Sequence, residues 1–124
     1  MKKLCVNTRD EMLVLELDKV AYFKAEGNYT QVVFISGQRS VLSFGLCKVE
    51  AMIAEFAKTN KCNFVRVGRS HIINQSYLFH VNVLRQKITL SDCDNHTHTI
   101  LISREVLKRY KSLLATKEKG GQDK

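Results

Sequence analysis

Proline is absent from the 124 residues, and so is tryptophan. No proline-rich linker divides the chain and no segment repeats another, so it reads as one domain large enough for a hydrophobic core. Cys5, Cys47, Cys62 and Cys93 stand far apart, with no Cys-x-x-Cys pair. That spacing speaks against a structural zinc site. Without a secretory leader it also speaks against a disulfide framework, and points to reduced, partly buried thiols in a cytoplasmic protein. Lys2 and Lys3 precede only Leu4-Cys5-Val6 before polar residues resume, too short for a signal peptide. No apolar run approaches transmembrane length, so no membrane partner is expected. There is no Gly-rich phosphate loop, nucleophile elbow or convergent carboxylate pair, so the chain reads as a non-enzyme without a cofactor. The one Cys/His cluster, Cys93-Asp94-Asn95-His96-Thr97-His98, has the composition of a polar turn and not the spacing of a metal site.

Acidic residues are the other shortage. Twelve Asp and Glu face 20 Lys and Arg, a formal charge of +8. From Phe56 to Ser91 there is no acid at all, while Lys58, Lys61, Arg66, Arg69, Arg85 and Lys87 fall within that stretch. A surplus of this kind fits a polyanion, with nucleic acid ahead of an anionic membrane surface or an acidic protein. The ten aromatic residues include no evident exposed pair of the sort that stacks single-stranded bases.

What is present is mostly short strands. Leu4–Val6 and Met12–Leu17 flank a polar turn, and Val20–Lys24 leads to a loop at Ala25-Glu26-Gly27-Asn28. Tyr29–Ile35 and Arg39–Phe44 flank Ser36-Gly37-Gln38, a hairpin signal. Leu84, Gln86, Ile88 and Leu90 alternate as one strand face, and His98, Ile100 and Ile102 as another. Helical spacing appears twice. Leu46, Val49, Ile53 and Phe56 form one stripe, with Ser43 as its expected cap and Asn60 as its close. Val106, Leu107, Tyr110, Leu113 and Leu114 form the other, opened by Ser103. The expected helices, about 44–57 and 104–115, lie far apart with strands between them, so no helix-turn-helix can be built. Residues 117–124 read as a flexible C-terminal tail after a domain spanning 1–116.

The most specific stretch is Phe64-Val65-Arg66-Val67-Gly68-Arg69-Ser70-His71-Ile72-Ile73-Asn74: a strand, a tight polar loop and a return into the core. With Val20-Ala21-Tyr22-Phe23-Lys24-Ala25-Glu26-Gly27-Asn28-Tyr29 before it and Ile102-Ser103-Arg104 after it, this stretch resembles the LytTR-type DNA-binding domain of bacterial transcription regulators. The resemblance covers roughly Leu4 to Leu114, in the family's order and spacing. It implies a mainly β fold of small antiparallel sheets stacked as an elongated sandwich, with two short flanking helices. It also implies loops, not a helix, entering successive major grooves of double-stranded DNA. Direct repeats, homodimers on DNA, and a histidine kinase or receiver-domain partner belong to the same expectation. Because the chain starts almost at the first family strand, it reads as a stand-alone regulator or the output domain of a two-component response regulator, and Met1 favours the former. A small basic β-domain binding RNA is the alternative reading.

The resemblance assigns roles residue by residue. Asn28 and Tyr29 in the first loop, Arg69 at the tip of the second and Arg104 at the third are the base-edge candidates. Asn suits adenine, and a guanidinium forks onto guanine. Lys24, Arg66, Ser70, His71, Asn74, Arg85, Lys87, Ser103 and Lys108 are the phosphate candidates. Ser70 and Asn74 read equally as loop-shaping residues, and Arg66 as a structural ion-pair partner. Ser103 opens a helix whose first-turn amides favour an anion.

Overall fold

The computed structural model describes residues 3–122, with side chains described as far as residue 115. Among these residues, ten strands form three antiparallel sheets. β1 (Lys3–Asn7) pairs with β2 (Met12–Glu16). Five strands, β3 (Val20–Glu26), β4 (Tyr29–Phe34), β5 (Arg39–Leu42), β6 (Phe64–Val67) and β7 (His71–Asn74), lie in the order β5-β4-β3-β7-β6. The third sheet, in the order β10-β9-β8, holds β8 (Leu78–Asn82), β9 (Lys87–Ser91) and β10 (Thr97–Leu101). The helices are α1 (Leu46–Phe56) and α2 (Arg104–Gln122).

The central sheet is apolar on both faces, which is why its middle strands read as unbroken hydrophobic runs. Val20, Phe23, Val32 and Ile72 pack with β1, β2 and α1 through Val6, Leu15, Leu46, Val49 and Ile53. Tyr22, Val33 and Ile73 face the other way, against Ile88, Leu90, Ile100, Leu107 and Tyr110 of the third sheet and α2. A bulge on β3 shifts the register between Val20 and Tyr22. The extra residue lets neighbours Ala21 and Tyr22 share one face, against the usual alternation.

Several expectations hold. Leu46, Val49 and Ile53 are the buried stripe of α1, and the Asn60 side-chain amide donates to the Phe56 carbonyl at 3.1 Å, closing it. Ser103 Oγ accepts the Val106 amide at 3.4 Å and caps α2. Others need correction. Gly45, not Ser43, precedes α1, and no side chain caps it, because the helix starts two residues later than a Ser43 cap requires. The strand expected from Leu84 begins at Lys87. Residues 83–86 are instead a turn: Asn82 Oδ1 accepts the Arg85 amide at 3.0 Å, and Gln86 takes φ 55°. Leu84, 76% exposed, is a turn residue that mimicked strand alternation, and β8 before it went unread. Leu113 is exposed although it follows Val106 by two turns on the same side, since the loop that covers Val106 reaches only the start of α2. The helix also passes the expected end at 115 and continues to Gln122 through most of the stretch read as a tail. Lys117-Glu118-Lys119 are good helix formers, which composition alone had masked. The last two residues, 123–124, lie outside the described part.

Tyr110 of α2 is buried against the third sheet with no hydrogen-bond partner for its hydroxyl among the described residues, and burial pushes its pKa up to about 12. An orphaned buried hydroxyl costs stability, so Tyr110→Phe should stabilise the fold by about 1 kcal/mol, whereas Leu107→Ala should cost about 2–5 kcal/mol. Urea unfolding checks both. A loss of stability in Tyr110→Phe means the hydroxyl is hydrogen-bonded in solution.

Candidate nucleic-acid interface

The first of the three loops is the two-residue turn between β3 and β4. Glu26 and Tyr29 are the last paired residues, and Gly27 takes φ 64°. Such a tight turn needs a left-handed backbone, which glycine supplies without a steric cost. Asn28 is carried at the tip, and Tyr29 is 53% exposed, so it is not a core residue.

The second loop joins β6 to β7. Val67 pairs with His71, leaving Gly68, Arg69 and Ser70 to make the turn. Gly68 takes φ 74° and lies against Val106 of α2. A Cβ at Gly68 would meet the nearest Val106 methyl at 3.5 Å, ordinary contact, so backbone angle and not space calls for glycine there. Because β7 runs antiparallel to β3, with Lys24 opposite His71, this loop lies at the same end of the sheet as the first. The Ala25 amide donates to the Ser70 carbonyl at 2.8 Å and joins the two loops directly.

The third loop, Ile102-Ser103-Arg104, follows from the packing of the second core. Leu101, Ile102, Ser103 and Val106 face Gly68, Arg69 and Ser70 across a shallow cleft of about 160 Å³. A fourth element, missed in the sequence, adjoins it. The Ile102 amide donates to the Gln86 carbonyl at 3.0 Å, and Leu101 pairs with Lys87. The turn carrying Arg85 therefore sits beside the third loop. The signal that could have found it was Asn82 three residues before Arg85, a side-chain acceptor that starts turns.

Asn28, Tyr29, Arg69, Ser70, Ser103, Arg104 and Arg85 are thus exposed on connected turns, with Lys24, His71 and Lys87 half-buried behind them. Lys108, exposed, follows Arg104 by one turn of α2 on the same side, and Lys111 by about two. Among the described residues, Arg69, Arg85, Lys87, Arg104 and Lys108 have no carboxylate partner, while Lys24 pairs with Glu26 at 3.7 Å. Two candidates are not on this rim. Asn74, only 3% exposed, sits at the far end of β7. Its amide donates to the Val20 and Leu17 carbonyls at 2.9 and 3.4 Å, and its oxygen accepts the Ser76 amide at 3.0 Å. It is a structural pin and cannot reach a phosphate. Arg66 turns inward, to Glu50 at 2.8 Å and to the Arg69 carbonyl at 2.8 Å. The polar stretch at Cys93–His98 is also accounted for. His96 pairs with Asp92 at 2.6 Å, and His98 Nε2 lies 3.0 Å from the Ile35 carbonyl. The hydrogen bond from His96 holds the Asp92 carboxyl below its ordinary pKa. Among the described residues, no group of three potential ligands could hold a metal ion.

Three small antiparallel sheets thus carry cationic turns gathered at one end. The family model for the LytTr DNA-binding domain matches residues 10–115, and the chain belongs to the LytTR family. Membership carries DNA binding in transcription regulation. Among solved structures, the chain is similar to the LytTr DNA-binding domain of a protein described as a methyl-accepting/DNA response regulator from Bacillus cereus. The two share 21% identity at a TM-score of 0.61, over 92% of this chain and 97% of the other. That likeness concerns the fold. No curated protein matches the chain. No helix among the described residues is long and apolar enough to cross a membrane.

His71 gives this surface a pH dependence. Its ring lies 6.0 Å from that of Tyr22, and burial, with the nearby Lys24 ammonium, lowers its pKa from the ordinary value. At neutral pH it meets any ligand uncharged. The unfolded chain protonates at about 6.5, above the folded value, so stability held at neutral pH is lost as pH falls below that point. The wild-type melting temperature should therefore fall more between about pH 7 and pH 5 than that of His71→Phe. Parallel curves would remove His71 as the cause.

Proposed function

We propose that the chain binds duplex DNA sequence-specifically by lodging its turns in successive major grooves. The observation that carries this reading is the gathering of the three loops, linked by the Ala25–Ser70 hydrogen bond and the Gly68–Val106 contact, with the guanidiniums of Arg69 and Arg104 exposed on them and without a carboxylate partner among the described residues. Arg69 and Arg104 fork onto guanine edges, and Asn28 offers paired hydrogen bonds to adenine with Tyr29 packed beside it. Lys24, Ser70, His71, Arg85, Lys87, Ser103 and Lys108 follow the phosphates, with His71 acting as a neutral donor. The domain, taken as residues 1–116, binds direct repeats as a homodimer in the cytoplasm. It acts as a stand-alone regulator or as an output domain answering a receiver or histidine kinase.

Affinity should fall steeply as salt rises from low to physiological strength, because phosphate contacts release counterions. A flat response speaks against the reading, and so does structured RNA outcompeting a mixed-sequence duplex. Selection from a random duplex pool supplies the target motif and its repeat spacing. On that target, Arg69→Ala or Arg104→Ala should cost about 1–3 kcal/mol and relax preference at one base position, whereas Lys108→Ala should weaken all sequences alike. The opposite pattern would reverse the roles.

A further inference from the structure

Arg66 stands beside the second recognition loop but is turned away from the rim. Its side chain is 23% exposed. One terminal nitrogen donates to Glu50 Oε1 at 2.8 Å and lies 3.6 Å from Cys47 Sγ, both on α1. The other donates to the carbonyl of Arg69, the loop tip, at 2.8 Å. The planar guanidinium thus bridges a helix and the backbone of the loop, with its two ends pointing at different partners.

The loop needs such a tie. It has three residues and a left-handed glycine, and its hydrogen bonds elsewhere hold only its flanks: the Val67–His71 pair closes its base, and Ser70 is bonded to β3. At the tip, the Arg69 carbonyl is taken by Arg66 alone among the described residues. The other end of the bridge is firm, because α1 is seated in the first core by Leu46, Val49 and Ile53. Glu50 is 52% exposed, so the ion pair itself contributes little to stability. Its value is directional: it aims the guanidinium and neutralises a charge that would otherwise be free to follow a phosphate.

Resting on the DNA-binding reading above, we propose that Arg66 and Glu50 are a positioning pair, which sets where the Arg69 side chain meets a base edge without touching DNA themselves. The pair makes α1, an element outside the three loops, a determinant of sequence preference.

Three variants, Arg66→Lys, Glu50→Gln and Arg66→Gln, test this, each measured on the selected duplex and on a scrambled one across a salt series. Arg66→Lys keeps the charge and loses the fork; Glu50→Gln removes the charge that aims it. Both should lower the ratio of selected to scrambled affinity, Arg66→Lys by about tenfold, with the salt slope unchanged. Both should also speed amide hydrogen exchange at Arg69, Ser70 and His71 in the free protein, with the rest unaltered. If Arg66 is instead a phosphate contact, Glu50→Gln tightens both duplexes equally, and Arg66→Gln lowers the salt slope by about one. That result overturns the proposal, as does unchanged exchange at the loop. Should Arg66→Lys fail to fold, Glu50→Gln on the exposed helix face decides alone. Should the wild type prefer no duplex, the DNA reading fails, while the exchange measurement still judges the tie between Arg66 and the loop.

Discussion

Strand β3 is hydrogen-bonded along both edges, to β4 on one side and β7 on the other, and both partners run antiparallel to it. The rest of the structure depends on that double pairing. An antiparallel partner reverses at the end where its neighbour finishes, so the β3–β4 turn and the β6–β7 turn must emerge at one end of the sheet. Had β7 run parallel to β3, Asn28 and Arg69 would lie at opposite ends. The strand is also buried on both faces, through Val20 and Phe23 on one and Ala21 and Tyr22 on the other. A single slip in register would turn these side chains to the wrong face, which is why the arrangement is strongly specified.

The remaining turns are positioned by packing and not by the central sheet. Ile88, Leu90, Ile100, Ile102 and Leu107 seat the third sheet and α2 against Val33 and Ile73. That contact brings Val106 against Gly68 and the turn at Arg85 beside Ile102. Backbone polar groups complete the join, as with the Ile102 amide on the Gln86 carbonyl. Hydrogen bonds are directional, so they fix relative positions more sharply than apolar contact does. Asn74 does the same inside the molecule, tying β7 to the backbone at Leu17 and Val20.

Much of this was legible beforehand. The alternation of His98, Ile100 and Ile102, the stripe of Leu46, Val49 and Ile53, and the capping by Ser103 are local patterns, and each reappears as read. The misses share a cause. Leu84 looked like a strand residue because alternation cannot distinguish a turn followed by a strand from one longer strand. Asn74 and Arg66 stayed open between phosphate contact and scaffold, because an amide or a guanidinium beside a polar loop serves ligand and scaffold equally well in one dimension. Which role each takes depends on partners from distant segments: Leu17 and Val20 for Asn74, Glu50 on α1 for Arg66.

By itself the sequence determined the cationic surplus, the alternating and helical stripes, the glycines at Gly27 and Gly68, and a motif specific enough to mark the family. These are properties of composition and near neighbours, and a chain carries them whether folded or not. Only the tertiary structure decided which cations stay free, which polar side chains are spent inside, and that turns far apart in sequence share one end of the molecule. Charge pairing and hydrogen-bond satisfaction are matters of distance in space, and that distance is set by strand direction and by the packing of two cores on one sheet.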